Sequence, residues 1–306
     1  MAEKDIVEKI LEEHNDVFSD IVNVLLFNGE QRIHENALLP IKEETMLKID
    51  DKIHEQERDI SKLWKESEIV ISEIGFENQT SLDKYMPLRV LSYDGASYKR
   101  QLRTDSKNIN PVVTLVLYFG NEHWNYPKNI KGIMNIDKNL EPYISDYAIN
   151  VYEISFLDDK IINMFKSDFG IIARFFKNRR LGINDLNDTQ TIKHVDEMLK
   201  FLRVVTADER YEIDVDKMKA QKGEVINMCS VAEAIEKRGI EKGEKRGIEK
   251  GEKIGKEIGK EIGKEIGKEI GKVEILLSMN KTIPEIVELT GFSEKKVKEI
   301  IDIINK

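Results

Sequence analysis

Nine glycines recur at every fourth position between residues 239 and 271, and this repeat divides the chain more sharply than any other feature. An α-helix turns once in about 3.6 residues, so a spacing of four makes the glycines drift around a helix by about 40° per repeat. That drift excludes a heptad coiled coil, whose apolar residues recur about every 3.5 positions. Each glycine also costs a helix about 1 kcal/mol relative to alanine. We expect a spacer that is at best a marginal helix in isolation, with an exact repeat number that can also reflect repeat slippage.

The residues before the repeat have the pattern of an α/β domain over 1–205. The run VVTLVLYF at 112–119 is almost continuously apolar, as expected of a strand buried on both faces. Helices and strands together predict one mixed sheet flanked by helices. In chain order, the predicted elements are a helix at 5–29, strands at 58–65 and 68–77, a helix at 82–101, strands at 112–119 and 147–157, and helices at 158–177 and 188–205.

The remainder of the chain is predicted to be all-α. Residues 206–238 form a helical connector, 239–272 the repeat spacer, and 273–306 a small helical module. In that module, Thr282 and Ser293 are placed to cap two short helices joined by a turn at Gly291. These are helix-turn-helix proportions. The charges of the module nearly cancel, with five Lys against six Asp and Glu, so a plain helical hairpin fits as well as a DNA reader.

The charge of the chain is unevenly distributed. Residues 237–272 carry twelve Lys and Arg against eight Glu, a net charge of +4, which leaves −13 for the rest because the total is −9. A negative chain is not expected simply to coat DNA. An acidic body with a basic spacer fits a carboxylate-lined metal site with a separate contact region, although many cytoplasmic proteins are acidic for no specific reason.

Several classes of protein are excluded by features that the sequence lacks. There is no apolar run of about 18 residues, and the N-terminus lacks the features of a signal peptide, so we expect a soluble cytoplasmic protein with no membrane contact. Cys229 is the single cysteine, which excludes an internal disulfide and a cysteine zinc site. The glycines form no phosphate-binding loop, so no nucleotide cofactor is expected. Four histidines show no metal-ligand spacing; they are His14, His34, His54 and His194. His123 follows the buried strand, and we expect it to pack there rather than to bind a metal.

Two carboxylates on neighbouring predicted strands carry the chemical argument. Glu77 and Gln79 are two apart on one strand, so their side chains share a face, and Asp59 lies on the preceding strand. Two carboxylates brought together in this way can hold Mg²⁺, or Mn²⁺, which prefer oxygen ligands. The bound ion would lower the pKa of a water and neutralise a scissile phosphate. Acidic pairs on neighbouring strands also occur without any catalytic role.

Basic side chains on the next predicted helix are candidates for contacts with DNA. Arg89 is placed to bind phosphate, and Lys99, Arg100 and Arg103 can extend that contact along the helix. A surface or packing role for Arg89 remains the alternative.

Four blocks of sequence resemble a known family. They are DIVNVLLFNG, ERDISKLW, IGFENQTSLDKYMPLRVLSYDGASYKRQL and VVTLVLYFGNEHWNYP, followed by a tail rich in glycine, lysine and glutamate. Together they resemble the Rpn family of recombination-promoting nucleases, a transposase-like group within the PD-(D/E)XK superfamily. The most specific block is ENQT…MPLRVLSY, and the tail is the least specific.

The resemblance implies a restriction-endonuclease-like fold and divalent-metal-dependent cleavage of DNA. By position, Asp59 and Glu77 correspond to metal ligands, and Gln79 stands where many enzymes of the class have a lysine. An amide cannot supply a positive charge or act as a base, although it can orient water or a phosphate oxygen. An acidic residue of the first helix often completes such sites, which makes Asp20 the candidate.

Two functions are compatible with these observations. The first is a metal-dependent DNA endonuclease of the recombination-promoting, transposase-like type. The second is a catalytically weak or inactive protein of the same fold that binds DNA or assembles with other chains. We also expect homo-oligomers formed through the C-terminal region.

Overall fold

The computed structural model describes residues 11–41, 46–49, 52–55, 59–67, 69–103, 108–183, 187–222 and 225–305. The chain divides into two compact units, one ending at Ile235 and the other beginning at Glu236. Among the described residues, none of the helices has the length and apolar character needed to cross a membrane.

A five-stranded mixed sheet forms the centre of the first unit. The described strands are β1 (Leu38–Pro40), β2 (Met46–Ile49), β3 (Lys52–Glu55), β4 (Ile60–Glu66), β5 (Ile69–Gln79), β6 (Val112–Tyr118) and β7 (Asn150–Glu153). The order in the sheet is β1-β4-β5-β6-β7, with β1, β4 and β5 antiparallel and β5, β6 and β7 parallel, while β2 and β3 form a separate hairpin. The α/β class and the mixed sheet are therefore confirmed.

Helices cover both faces of this sheet and continue to the end of the chain. Described α-helices are α1 (Asn15–Phe27), α2 (Met86–Arg103), α3 (Ile130–Ile133), α4 (Asp159–Ile162), α5 (Phe169–Arg180), α6 (Val195–Thr206), α7 (Val215–Lys222), α8 (Met228–Ser278), α9 (Ile283–Thr290) and α10 (Glu294–Ile304).

The alternation of side chains along β5 separates an apolar face from a polar one. Phe76 points to the face covered by α1, where its ring stacks on Phe18 with 4.3 Å between ring centroids. Helices α5 and α6 contribute to the same large core. Glu77, the next residue of β5, points to the opposite face. There α2 packs Met86 and Val90 into a smaller cluster with Val116 of β6.

Several predicted elements differ from the structure in extent. The predicted helix at 158–177 is interrupted: α4 ends at Ile162 and α5 begins at Phe169. The reason is a distant carboxylate, because Asp20 accepts hydrogen bonds from the backbone N–H groups of residues 166 and 167, which a continuous helix would use internally. The predicted strand at 147–157 is reduced to β7 followed by a 3₁₀ turn. Residues 5–10 of the predicted first helix lie outside the described residues.

In the second unit, the predicted caps of the C-terminal module are confirmed. The Glu285 carboxylate accepts a hydrogen bond from the backbone N–H of Thr282 at 2.8 Å, and the Ser293 hydroxyl accepts one from the N–H of Lys296 at 3.3 Å. Gly291 ends α9 with a φ of 72°. A small apolar cluster joins α9 and α10 to the end of α8; its buried members are Val273, Ile286, Val297 and Ile300.

The glycine repeat is helical throughout and lies within α8. A Cβ added at any of the repeat glycines would meet no atom of the described residues within 4 Å. The repeat therefore bears the full propensity cost of glycine without gaining a close contact in return.

Alanine in the repeat should strengthen this helix. We expect Gly255→Ala and Gly259→Ala each to stabilise α8 by about 1 kcal/mol, since alanine loses less backbone entropy than glycine and nothing obstructs its methyl group. The measurement is thermal unfolding followed by far-ultraviolet circular dichroism. Gly291→Ala is the matched control and should be destabilising, because its positive φ disfavours a Cβ. A lower helix stability in Gly255→Ala would contradict this account.

Candidate functional site

The structure brings the two predicted carboxylates together at one end of the β4–β5 pair. Ile60 of β4 lies opposite Phe76 of β5 in the antiparallel register. Asp59, immediately before β4, therefore lies beside Glu77. Its Oδ2 accepts a hydrogen bond from the backbone N–H of Asn78 at 2.6 Å, which ties the start of β4 to the end of β5.

Glu77 is held in a buried position by an arginine. Its side chain is only 3% exposed, and Oε1 accepts hydrogen bonds from the Arg89 guanidinium and from the Gln79 amide, the latter at 3.3 Å. Arg89 also donates to Asp83 at 3.1 Å. Gln79, the third predicted site residue, is thus in direct contact with Glu77.

The charges of the site influence one another. Burial by itself lowers the pKa of Arg89, but Glu77, Tyr93 and Asp83 together raise it above its ordinary value, so the guanidinium stays charged. Tyr93 lies beside Arg89, with 3.3 Å from its hydroxyl to Nη2. Burial raises the pKa of Tyr93, and Glu77 and Asp59 raise it further. Both carboxylates therefore act on the same small volume, and Tyr93 remains protonated at neutral pH.

A second pair of the same kind lies further along β5. Glu73 accepts hydrogen bonds from the Ser97 hydroxyl at 2.6 Å and from the Arg100 guanidinium. Two members of the predicted DNA-contacting set, Arg89 and Arg100, therefore hold buried acidic residues of β5. The other two, Lys99 and Arg103, are exposed on α2.

The structure does not bring Asp20 to the predicted site. Asp20 lies on α1, which covers the Phe76 face of the sheet, whereas Glu77 points to the other face. The Oδ2 atom of Asp20 accepts hydrogen bonds from the backbone N–H groups of Lys166 and Ser167 at 2.8 and 2.7 Å. In the structure, Asp20 therefore stabilises the turn before α5.

Two residues near the site were missed by sequence reasoning. Glu12 is 1% exposed, and its Oε2 accepts a hydrogen bond from the Asn78 side-chain amide at 2.9 Å. Asp83 accepts a hydrogen bond from Arg89 at 3.1 Å. No sequence pattern marks either residue. Tyr93, in contrast, is four residues from Arg89 on the predicted helix, and this spacing places the two side chains on one face.

The donor set at the strand end fits a hard divalent cation. Asp59 and Glu77 offer carboxylate oxygens, and Gln79 adds an amide oxygen, which are the ligand types that Mg²⁺ and Mn²⁺ prefer. Because Glu77 is almost fully buried, its charge needs a positive partner, and Arg89 supplies it here. A metal ion bound at this end of β5 would neutralise Glu77 together with Arg89 or in its place.

Removing Arg89 should leave Glu77 as a buried charge without compensation. We expect Arg89→Met to lower the free energy of unfolding by about 1–3 kcal/mol, less than for a fully buried pair because the arginine is 41% exposed. The double variant Arg89→Met/Glu77→Gln should recover most of that loss. Urea denaturation measures the free energy of unfolding of the parent protein and of both variants. The control is Arg103→Met, which replaces an exposed arginine of the same helix. Equal losses in the single and double variants would show that the loss does not come from an uncompensated charge on Glu77.

Comparison with known proteins agrees with the resemblance. Residues 73–212 match the family model described as "Putative transposase, YhgA-like". The matched range contains Glu77, Gln79 and Arg89, and it begins after Asp59. No curated protein and no solved structure matches the chain significantly. From the central strand to the turn that follows α6, the chain is therefore similar to the YhgA-like putative transposases, a family of the PD-(D/E)XK type.

Proposed function

We propose that this protein is a divalent-metal-dependent DNA endonuclease of the recombination-promoting type. The observation that carries the proposal is the placement of Asp59 beside Glu77 at one end of the β4–β5 pair, with Gln79 in contact with Glu77. The family match supports the coarser statement of a nuclease-like transposase role.

Asp59 and Glu77 would hold the metal ion, Mg²⁺ or Mn²⁺. When bound, such an ion supplies a water of lowered pKa and neutralises charge on a phosphate. Burial of Glu77 keeps its carboxylate away from competing solvent, and the Asn78 N–H fixes the position of Asp59. These contacts preorganise the two ligands, which reduces the entropy lost when an ion binds.

Gln79 and Arg89 would act on the DNA phosphate and the attacking water. The Gln79 amide can hydrogen-bond a water or a phosphate oxygen, although it cannot accept a proton as a base. The Arg89 side chain is 41% exposed, so a phosphate can approach its guanidinium while the other side remains near Glu77. Lys99 and Arg103 on the exposed side of α2 would contact the DNA backbone further from the site, without base specificity.

Cleavage of supercoiled plasmid by the purified protein tests this function. We expect nicking with Mg²⁺ or Mn²⁺ that is abolished by EDTA. Asp59→Asn and Glu77→Gln should each lower the rate about 100-fold or more, because each removes a charged ligand without changing shape. Gln79→Lys should raise the rate by roughly tenfold, since a lysine supplies the charge that an amide lacks.

Glu73→Gln is the matched control for this experiment. Glu73 is also a buried glutamate of β5 paired with an arginine, but its partners are Ser97 and Arg100. Its replacement should preserve cleavage in protein that remains folded by circular dichroism. If Glu77→Gln cleaves DNA as fast as the parent protein, the proposed site is wrong.

A second function is favoured by the Arg89–Glu77 ion pair. A guanidinium that permanently neutralises Glu77, together with an amide at position 79, is consistent with a protein that retains the nuclease fold for binding DNA or other chains. This alternative predicts no cleavage with any divalent ion and retained DNA binding. Metal-stimulated cleavage that disappears in Glu77→Gln would eliminate it.

We further propose that the C-terminal region mediates self-association. Isoleucines of the repeat recur every four residues along α8 and are about half exposed; they include Ile254, Ile258, Ile262 and Ile266. Exposed apolar side chains at regular spacing favour contact with another chain. Replacing these four by alanine should lower the mass measured by light scattering to that of one chain. Deletion of 239–306 should have the same effect, and an unchanged oligomer in both variants would contradict the proposal.

A further inference from the structure

Two histidines separated by 180 positions in the sequence meet where α1 and α6 begin. The imidazole rings of His14 and His194 stack with 3.7 Å between centroids and an interplanar angle of 19°. Glu197 lies next to them, with 3.8 Å from its Oε1 to Nε2 of His14. One possible ligand atom from each of these three side chains lies within 4.8 Å of the other two.

The backbone holds this cluster in place. Each histidine immediately precedes its helix, and its carbonyl accepts the hydrogen bond that starts the helix, from Phe18 at 2.9 Å and from Met198 at 2.9 Å. Asp168, which is 2% exposed, accepts the backbone N–H of His194 at 2.7 Å. The two helix starts are therefore fixed before any ligand binds.

The donor atoms suit a transition-metal ion better than Mg²⁺. Two imidazole nitrogens and one carboxylate oxygen form a ligand set typical of Zn²⁺, whereas Mg²⁺ takes oxygen ligands. With metal–ligand bonds of about 2.0–2.1 Å in a tetrahedral arrangement, the ligand atoms would be roughly 3.3 Å apart. The present limit of 4.8 Å requires the side chains to close by at most about 1.5 Å. One imidazole must also turn out of the stack, so that the in-plane lone pairs of both rings point at the ion.

A further carboxylate, that of Asp16, contacts a ring nitrogen of His194. Both carboxylate oxygens of Asp16 lie 3.1 Å from Nε2 of His194, and Lys193 donates to Asp16 at 2.7 Å. Histidines that bind metals usually have such a carboxylate on one ring nitrogen, which orients the ring and fixes its tautomer. The Asp16 carboxylate therefore orients the His194 ring at the start of α6.

We propose that His14, His194 and Glu197 form a Zn²⁺ site that joins the start of α1 to the start of α6. The site uses none of the residues of the Asp59–Glu77 pair, and Asp16 is its positioning residue. Sequence spacing did not reveal it, because two of the ligands come from opposite ends of the first unit. Three protein ligands leave a fourth position for water.

The test is zinc binding by the full chain after EDTA treatment and desalting. Isothermal titration with ZnSO₄ should give one ion at this site, and zinc should raise the melting temperature. Glu197→Gln and His194→Ala should lower the affinity at least tenfold, and Asp16→Asn by about 10- to 100-fold. His123→Ala is the control and should bind zinc as the parent does; His123 is an exposed histidine outside the cluster.

Two results would overturn the proposal. One is the absence of zinc binding by the parent protein. The other is binding that survives Glu197→Gln and His194→Ala, above all if it is lost in Glu77→Gln, which would place the ion at the carboxylate pair. If His194→Ala does not fold, Glu197→Gln and the visible spectrum of the cobalt-loaded parent decide the question. Tetrahedral cobalt absorption that weakens in Glu197→Gln supports the site, and a spectrum without it contradicts the site.

Discussion

Two buried carboxylates on the central strand require positive partners, and helix α2 provides both. Glu73 and Glu77 are four residues apart on β5, about 13 Å along a strand. Arg89 and Arg100 are eleven residues apart on α2, about 16 Å along a helix, and the length of arginine side chains accommodates the difference. Because a buried carboxylate without a partner is strongly destabilising, these ion pairs fix where α2 lies along the sheet. With α2 in this position along the sheet, its apolar side chains pack against β6.

The pairing of Glu77 with Arg89 also determines which ligands the end of β5 can bind. Glu77 is paired with Arg89 in a buried place, so an acidic side chain suited to bind a metal is available there. A divalent ion that binds beside Asp59 would compete with the Arg89 guanidinium for Glu77. The guanidinium, once separated from Glu77, could then bind a phosphate. The arginine therefore has two compatible roles: it stabilises the protein without metal, and in the proposed nuclease it would bind DNA. The contact of Arg89 with Tyr93 limits how far the arginine side chain has to move when it changes from one role to the other.

Sequence patterns predicted the elements whose signals are local. The apolar run of β6, the strand before it, and the caps at Thr282 and Ser293 depend on neighbouring residues, and the structure contains all of them. The adjacency of Asp59 and Glu77 was predicted from strand order alone. Other features depend on distant contacts: the break before α5 is stabilised by Asp20, and the histidine cluster joins residues 180 positions apart in sequence. The three-residue strand β1 and the β2–β3 hairpin are too short to give a clear periodic signal.

The most direct test of the metal site is a crystal structure of the protein grown with Mn²⁺, with anomalous scattering used to locate the ion. We expect an anomalous peak between the carboxylates of Asp59 and Glu77, with the Arg89 guanidinium moved away from Glu77 and still near Tyr93. A well-ordered structure at saturating Mn²⁺ without a peak there, in which Arg89 still neutralises Glu77, would contradict it.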